Sequence, residues 1–130
     1  MKADHFQILN RCPMKRTRGV SLKNSIHEYI IPNVQEKIHL ERIVDTGRTV
    51  SKHFHEWLEI VYVVEGELEF QNNIARYQLQ TDDLIVINPM SIHSTYCKEG
   101  NVGILLQIPI TFLAQFMPGI ENYSFHIDIN

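Results

Sequence analysis

From about Ile26 onward, apolar and polar positions alternate in short runs separated by turn residues. That is the pattern of strands with one buried face; helices repeat their apolar positions every three or four residues instead. Ile26–Ile31 reads as a first strand, ended by Pro32-Asn33. Ile38, Leu40, Arg42 and Val44 alternate with His39, Glu41 and Ile43, and Asp45-Thr46-Gly47 closes the run. Trp57–Glu65 is denser: Leu58, Ile60, Tyr62 and Val64 share one face, Val61 and Val63 the other. Such a run predicts burial on both faces. Gly66 interrupts, Leu68 and Phe70 resume the alternation, and Asn72-Asn73 marks a hairpin, since asparagine tolerates the left-handed backbone. Ala75–Leu79 returns from it, and Thr81-Asp82-Asp83 makes the next turn. Leu84–Ile87, Ile92–Cys97 and Val102–Ile108 are further strands, punctuated by Asn88-Pro89, Glu99-Gly100-Asn101 and Pro109. Ile110–Met117 is the one helical stretch, with Phe112, Leu113 and Phe116 on one side, Thr111 as cap and Pro118-Gly119 as stop. Tyr123, Phe125, Ile127 and Ile129 alternate in a last strand. Many short strands with turns about every ten residues predict a mainly β fold. A jelly-roll β-barrel with one short helix near the C-terminus is the expected form, because a sheet with so many buried strands must cover its edges.

The beginning of the chain lacks this pattern. Residues 1–24 are polar and mixed, with Pro13 and the basic cluster Lys15, Arg16 and Arg18. They predict an N-terminal arm or loosely attached strand, its cations a solvated face, with the folded domain spanning 25–130. A length of 130 residues fits one domain, and 44% hydrophobic and 21% charged residues are ordinary for a soluble globular protein. The formal charge of −3 argues against a broad basic face for DNA. Cys12 and Cys97 lie far apart and outside any C-x-x-C spacing, so neither a disulfide framework nor a structural zinc site is implied. With no run resembling a secretory signal or a membrane span, the expected setting is the reducing cytoplasm with both thiols free.

Candidate chemistry concentrates in the segment from Gly47 to Gly66. His53 and His55 are two residues apart, so in a strand both imidazoles face the same way. Two imidazoles with a nearby carboxylate can bind a divalent transition metal. Glu59 has the right parity, but along a straight strand it would stand roughly 13 Å from His55. The site therefore requires a bend around Glu56-Trp57 that folds Glu59 back beside the histidines. His93, just beyond Asn88-Pro89, offers a fourth donor. If the strand holds from His93, Thr95 and Cys97 share its face, and Thr95 can hydrogen-bond a ligand. For Cys97 and Trp57 core packing is the simpler reading.

The spacing Gly47, five residues, His53-x-His55, three residues, Glu59, six residues, Gly66 resembles the first motif of the cupin superfamily at every position. Shuffled chains of this composition would match it on the order of once in ten thousand trials. The second motif is altered. Asp83 stands where glycine is usual, Pro89 is in place, Ser91 replaces a glycine, His93 comes one residue early and Cys97 replaces an asparagine. This shortened form, Asp83 to His93, resembles the sensor domains of AraC-type transcription regulators, as does the Phe112-Leu-Ala-Gln-Phe-Met-Pro118 stretch after a strand ending in Gln107-Ile-Pro109.

The resemblance implies a barrel that binds a small-molecule effector, a sugar or related metabolite, inside it. It also implies a homodimer whose arrangement shifts with occupancy, and DNA bound only through a separate C-terminal domain not expected within this chain. His53, His55, Glu59, His93 and Thr95 are the expected ligand-binding residues, and the first four the expected metal ligands. Zn²⁺, Ni²⁺, Fe²⁺ and Mn²⁺ all suit such a set. The same side chains can instead hydrogen-bond sugar hydroxyls with no ion. The sensor reading makes the chain a non-enzyme; the alternative is a small metal-dependent cupin enzyme, a dioxygenase or sugar isomerase.

Overall fold

A computed structural model describes residues 6–9, 25–30 and 38–127, the side chains of 6–9 and 127 excepted. Two antiparallel sheets face each other. β3 (His39–Asp45), β10 (Asn101–Pro109), β5 (Trp57–Gly66) and β8 (Leu84–Ile87) form the first, in that order. β2 (Ile26–His27), β4 (Thr49–Phe54), β9 (His93–Tyr96), β6 (Leu68–Asn72) and β7 (Arg76–Leu79) form the second. β2 is the exception to the antiparallel rule, pairing in parallel with β4. β1 (Phe6–Leu9) pairs antiparallel with β11 (Ser124–Ile127). This is a jelly roll, as the alternating pattern predicts. Part of the expected arm is thus a strand paired at the edge; the rest of residues 1–24, including Cys12 and the basic cluster, lies outside the described residues.

The core fills the space between the sheets. Val61 and Val63 from β5, Ile85 and Ile87 from β8, Leu68 and Phe70 from β6, Leu79 from β7 and Cys97 are buried together. β5 pairs with β10 on one side and β8 on the other, so its inward row (Glu59, Val61, Val63) sits at the centre of its sheet. Gly66 ends β5 in the left-handed region, φ 89°, where a Cβ would lie 2.6 Å from the Gly100 carbonyl oxygen. Only glycine fits there.

Three sequence expectations change. β5 is not buried on both faces: Ile60 and Tyr62 are half-buried and Val64 is exposed. Among the described residues only its Leu58 end is covered, by Ile120 and Phe125 with Ile110, Leu113 and Tyr123 packed around them. The helix is α1 (Ile110–Leu113), shorter than Ile110–Met117. Thr111 does not cap it; Pro109 precedes it with no side-chain cap. Beyond Leu113 the chain tightens into i→i+3 bonds, Gln115 N to Phe112 O and Phe116 N to Leu113 O, leaving Phe116 exposed. An uncapped end with little buried apolar surface gives a helix no reason to extend. The first strand pairs only over Ile26–His27, because the parallel ladder with β4 stops at Phe54. Residues 31–37, with the expected Pro32-Asn33 turn, and 128–130 lie outside the described residues. Among the described residues no helix is long and apolar enough to cross a membrane.

Candidate metal and ligand site

The bend that the sequence requires falls at His55-Glu56, between β4 and β5. It is held by Met90 N–H donating to the His55 carbonyl at 2.7 Å. Leaving β4, the chain turns back as β5 and brings Glu59 beside His55, with His55 Nε2 to Glu59 Oε2 at 2.8 Å. His53 pairs directly across from His93 on β9. A register shift between Val50 and His53, a β-bulge, sets His53 opposite His93 although Val50, three residues earlier, pairs with Thr95 only two residues from His93. The rings of His53 and His93 then lie 4.1 Å apart between centroids, and those of His55 and His93 5.1 Å. His53, His55 and His93 each offer a ring nitrogen within 4.8 Å of the others.

The three imidazoles are oriented by the same device. His53 Nδ1 bonds the Ser51 carbonyl at 2.8 Å, His93 Nδ1 the Ser91 carbonyl at 2.8 Å, and His55 Nδ1 the Trp57 carbonyl at 3.0 Å. A carbonyl only accepts, so each Nδ1 carries its proton and each Nε2 is turned toward the common point. Carbonyl-bound Nδ1 with Nε2 presented inward is the arrangement a metal-ligating histidine takes. His93 is 1% exposed, and its Nε2 has no hydrogen-bond partner among the described residues. A buried ring nitrogen without a partner is costly to leave so. That orphaned atom, two further imidazoles and a buried carboxylate fit a divalent transition metal.

Glu59, 6% exposed, is held from two directions. Besides His55, the Gln107 side-chain amide on β10 donates to its Oε2 at 2.8 Å. Its Oε1 lies 3.9 Å from His93 Nε2. Burial pushes the Glu59 carboxyl up, but the His55 and Gln107 hydrogen bonds outweigh it and hold the group below its ordinary range. Burial likewise pulls His55 down, and the Glu59 bond and charge reverse that, so its pKa is raised. With Nδ1–H on Trp57 O, the His55 Nε2 bond to the Glu59 carboxylate favours the protonated ring in the metal-free protein, and a metal ion at this point would take the place of that Nε2 proton. His93 goes the other way. Burial, opposed by the charge of Glu59, takes it to about 4, so it is neutral at pH 7 and its Nε2 lone pair is free to coordinate.

Of the residues expected from sequence, the structure brings together His53, His55, Glu59 and His93. Thr95 is not one of these four donors; it follows His93 on the same strand and pairs with Phe70, whose ring stacks on His93. It is half-buried, in register with Val50 and Phe70 two residues beyond His93. It borders a separate groove of about 340 Å³ with Lys52, Gln71, Ser94 and Tyr96. Two residues join the site that sequence reasoning missed. Gln107 carried a local signal, a lone polar residue in the apolar run Ile104-Leu-Leu-Gln-Ile108. Glu28, with Oε2 3.5 Å from His53 Nε2, carried none; it arrives through the parallel pairing of β2 with β4.

The family model described as cupin domain matches residues 40–108, which include both halves of the donor set. The chain belongs to the cupin family. Among solved structures, this cupin is similar to an RmlC-like cupin from Shewanella frigidimarina at 26% identity and TM-score 0.53, covering 56% of this chain and 67% of that one. It is also similar to a cupin 2 conserved barrel domain protein from Salinispora arenicola at 20% identity and TM-score 0.53, covering 68% of this chain and 76% of the other. A DMSP lyase from Ruegeria pomeroyi shares the fold at 19% identity and TM-score 0.51, over 55% of this cupin and 38% of the lyase. No curated protein matches this cupin.

Proposed function

We propose that this cupin is the small-molecule-sensing barrel of an AraC-type transcription regulator, working in the cytoplasm as a homodimer and acting on DNA through a separate domain. Its effector is a small hydroxyl-bearing molecule, a sugar or relative, received at the histidine cluster. One observation carries the reading of the site: three imidazoles, each pinned through Nδ1, turn Nε2 toward a single point beside the buried Glu59. His53, His55, His93 and Glu59 would hold a divalent transition metal, Zn²⁺, Ni²⁺, Fe²⁺ or Mn²⁺, which would supply Lewis acidity toward a ligand oxygen. The chain's own residues do the rest. Gln107 fixes Glu59, the Ser51, Trp57 and Ser91 carbonyls fix the rings, and Phe70, stacked 6.0 Å from the His93 ring, excludes water from the inner side.

The altered second motif, with Ser91 and Cys97 in place of the usual residues, favours sensing over catalysis. The complete donor set supports a metal-dependent enzyme as the second reading. A thermal-shift screen of metabolites with and without added Zn²⁺ or Mn²⁺ tests the proposal. A ligand specific to the folded state raises the melting temperature, by about 2.7 kcal/mol of stabilisation at a hundred times Kd. Sugars or related polyols are expected to shift it, unchanged in chemical form after incubation. Conversion of the ligand would replace the sensor with the enzyme, and no shift by any metal or metabolite would refute both.

A further inference from the structure

The site has a second carboxylate. We propose that Glu28 is an additional donor to the bound cation, serving it from the solvent side opposite the buried Glu59. The inference rests on the metal reading above and extends it to a residue outside the Gly47–Gly66 segment.

Placement is the first support. Ile26 and His27 pair in parallel with His53 and Phe54, and Glu28 N–H donates to the Phe54 carbonyl at 2.9 Å. The His27 ring stacks on Phe54 at 4.8 Å with planes 2° apart, which fixes the strand's position along β4. Held this way, Glu28 reaches over the end of β4 to the one histidine of the cluster that is not fully enclosed. His53 is 13% exposed at its side chain, against 1% for His55 and for His93.

Distance is the second. Glu28 Oε2 stands 3.5 Å from His53 Nε2, the nitrogen left for a cation once Nδ1 is committed to Ser51. Two donors about 2.1 Å from one ion are separated by about 3.0 Å when cis in an octahedron and about 3.4 Å in a tetrahedron. The observed separation is close to that of two donors of a common ion. At 49% exposure the Glu28 side chain also has room for a small rotation.

Charge is the third. With Glu59 alone, a divalent cation leaves the filled site with a net positive charge and favours an anionic ligand. With Glu28 as well, the two carboxylates offset the cation, and the ligand that fits is uncharged and hydroxyl-bearing. Glu28 thus also sets the class of molecule the site receives.

The test is titration of Co²⁺ into the full chain and into Glu28→Gln, Glu56→Gln and Glu59→Gln, read by calorimetry and by the visible bands of the bound ion. Glu56 is a control for charge alone: it lies at the same mouth, 3.9 Å from His27, and is 71% exposed. The expected result is Co²⁺ affinity about tenfold weaker in Glu28→Gln with shifted bands, and unchanged bands with affinity within about twofold in Glu56→Gln. Inorganic phosphate should bind the Co²⁺-loaded Glu28→Gln protein more tightly than wild type. Wild-type affinity and bands in Glu28→Gln, alongside a loss in Glu59→Gln, would overturn this inference and leave the metal reading standing. Equal losses in Glu28→Gln and Glu56→Gln would overturn it in favour of simple electrostatics. Failure of the wild-type chain to bind Co²⁺ would overturn both.

Discussion

The buried His93 makes the metal-free barrel sensitive to acid, over a window its neighbours leave nearly clear. Folding takes His93 from an ordinary histidine pKa of 6.5 to about 4, so the unfolded chain binds the extra proton first. Stability rises with pH wherever the unfolded state holds more protons, and it is therefore lost as pH falls from 6.5 toward 4. Between pH 6.5 and 4.5 the unfolded His93 goes from half to fully protonated while the folded one stays mostly neutral. At 1.36 kcal/mol per pKa unit this costs about 2 kcal/mol. His55 acts in the opposite sense. Its folded pKa is raised, so its contribution is complete below 6.5 and is lost as pH rises through the folded value. Within the window it offsets at most about 0.4 kcal/mol, the residue of half-protonation at pH 6.5. Glu59, lowered in the fold, keeps its contribution above 4.5 and gives it up only at lower pH. The assay is urea unfolding in chelator, followed by circular dichroism at pH 6.5, 5.5 and 4.5, for wild type and His93→Gln. The extrapolated free energy should fall by about 2 kcal/mol in wild type and by less than about 0.5 kcal/mol in the variant. Equal slopes in the two proteins would refute the assignment of the effect to His93.

Two further outcomes test the support of the site and its backbone. Gln107→Leu removes one of two donors to the buried Glu59 carboxylate, and should cost about 1–3 kcal/mol of stability in denaturant unfolding. It should also weaken Zn²⁺ binding about tenfold or more by calorimetry; unchanged affinity would show that Gln107 does not position Glu59. Met90 sits in the left-handed region, φ 63°, in the turn before β9. Met90→Gly should raise the melting temperature, with a gain of about 1 kcal/mol, and a loss would mean that the half-exposed side chain makes contacts that outweigh the strain.

How much was legible in the sequence follows from the range of each interaction. Period-two alternation and turn residues are local, so the strands from His39 to Pro109 could be read directly, except β4, Thr49–Phe54, whose polar run Ser51-Lys52-His53 carries no apolar alternation. The bend at His55-Glu56 was legible because the chemistry demanded it: two imidazoles and Glu59 could not otherwise meet. Which faces are covered is decided by distant chain. Leu58 is buried because Ile120 and Phe125 pack on it, and Val64 is exposed because nothing among the described residues covers it. Glu28 is the extreme case, since its place depends on a parallel pairing between strands far apart in sequence. The helix was overestimated because an apolar stripe on Phe112, Leu113 and Phe116 promised a packing surface that Phe116 does not find.

The donor set is divided between the two sheets. His53 lies on β4, His55 at its end and His93 on β9, all on the five-stranded side. Glu59 lies on β5 and Gln107 on β10, at the centre of the four-stranded sheet. Across the gap the His55–Glu59 pair, the His55 Nδ1–Trp57 carbonyl bond and the longer His93–Glu59 approach connect them at this end of the barrel. A cation or effector bound here therefore acts between the sheets and not within one of them. A ligand can shift a conformational equilibrium only by its difference in affinity for the two states, and a site that exists only when the sheets are in register has that difference built in. The same geometry runs through Glu28 to β2, the strand that joins the cluster to the chain before it.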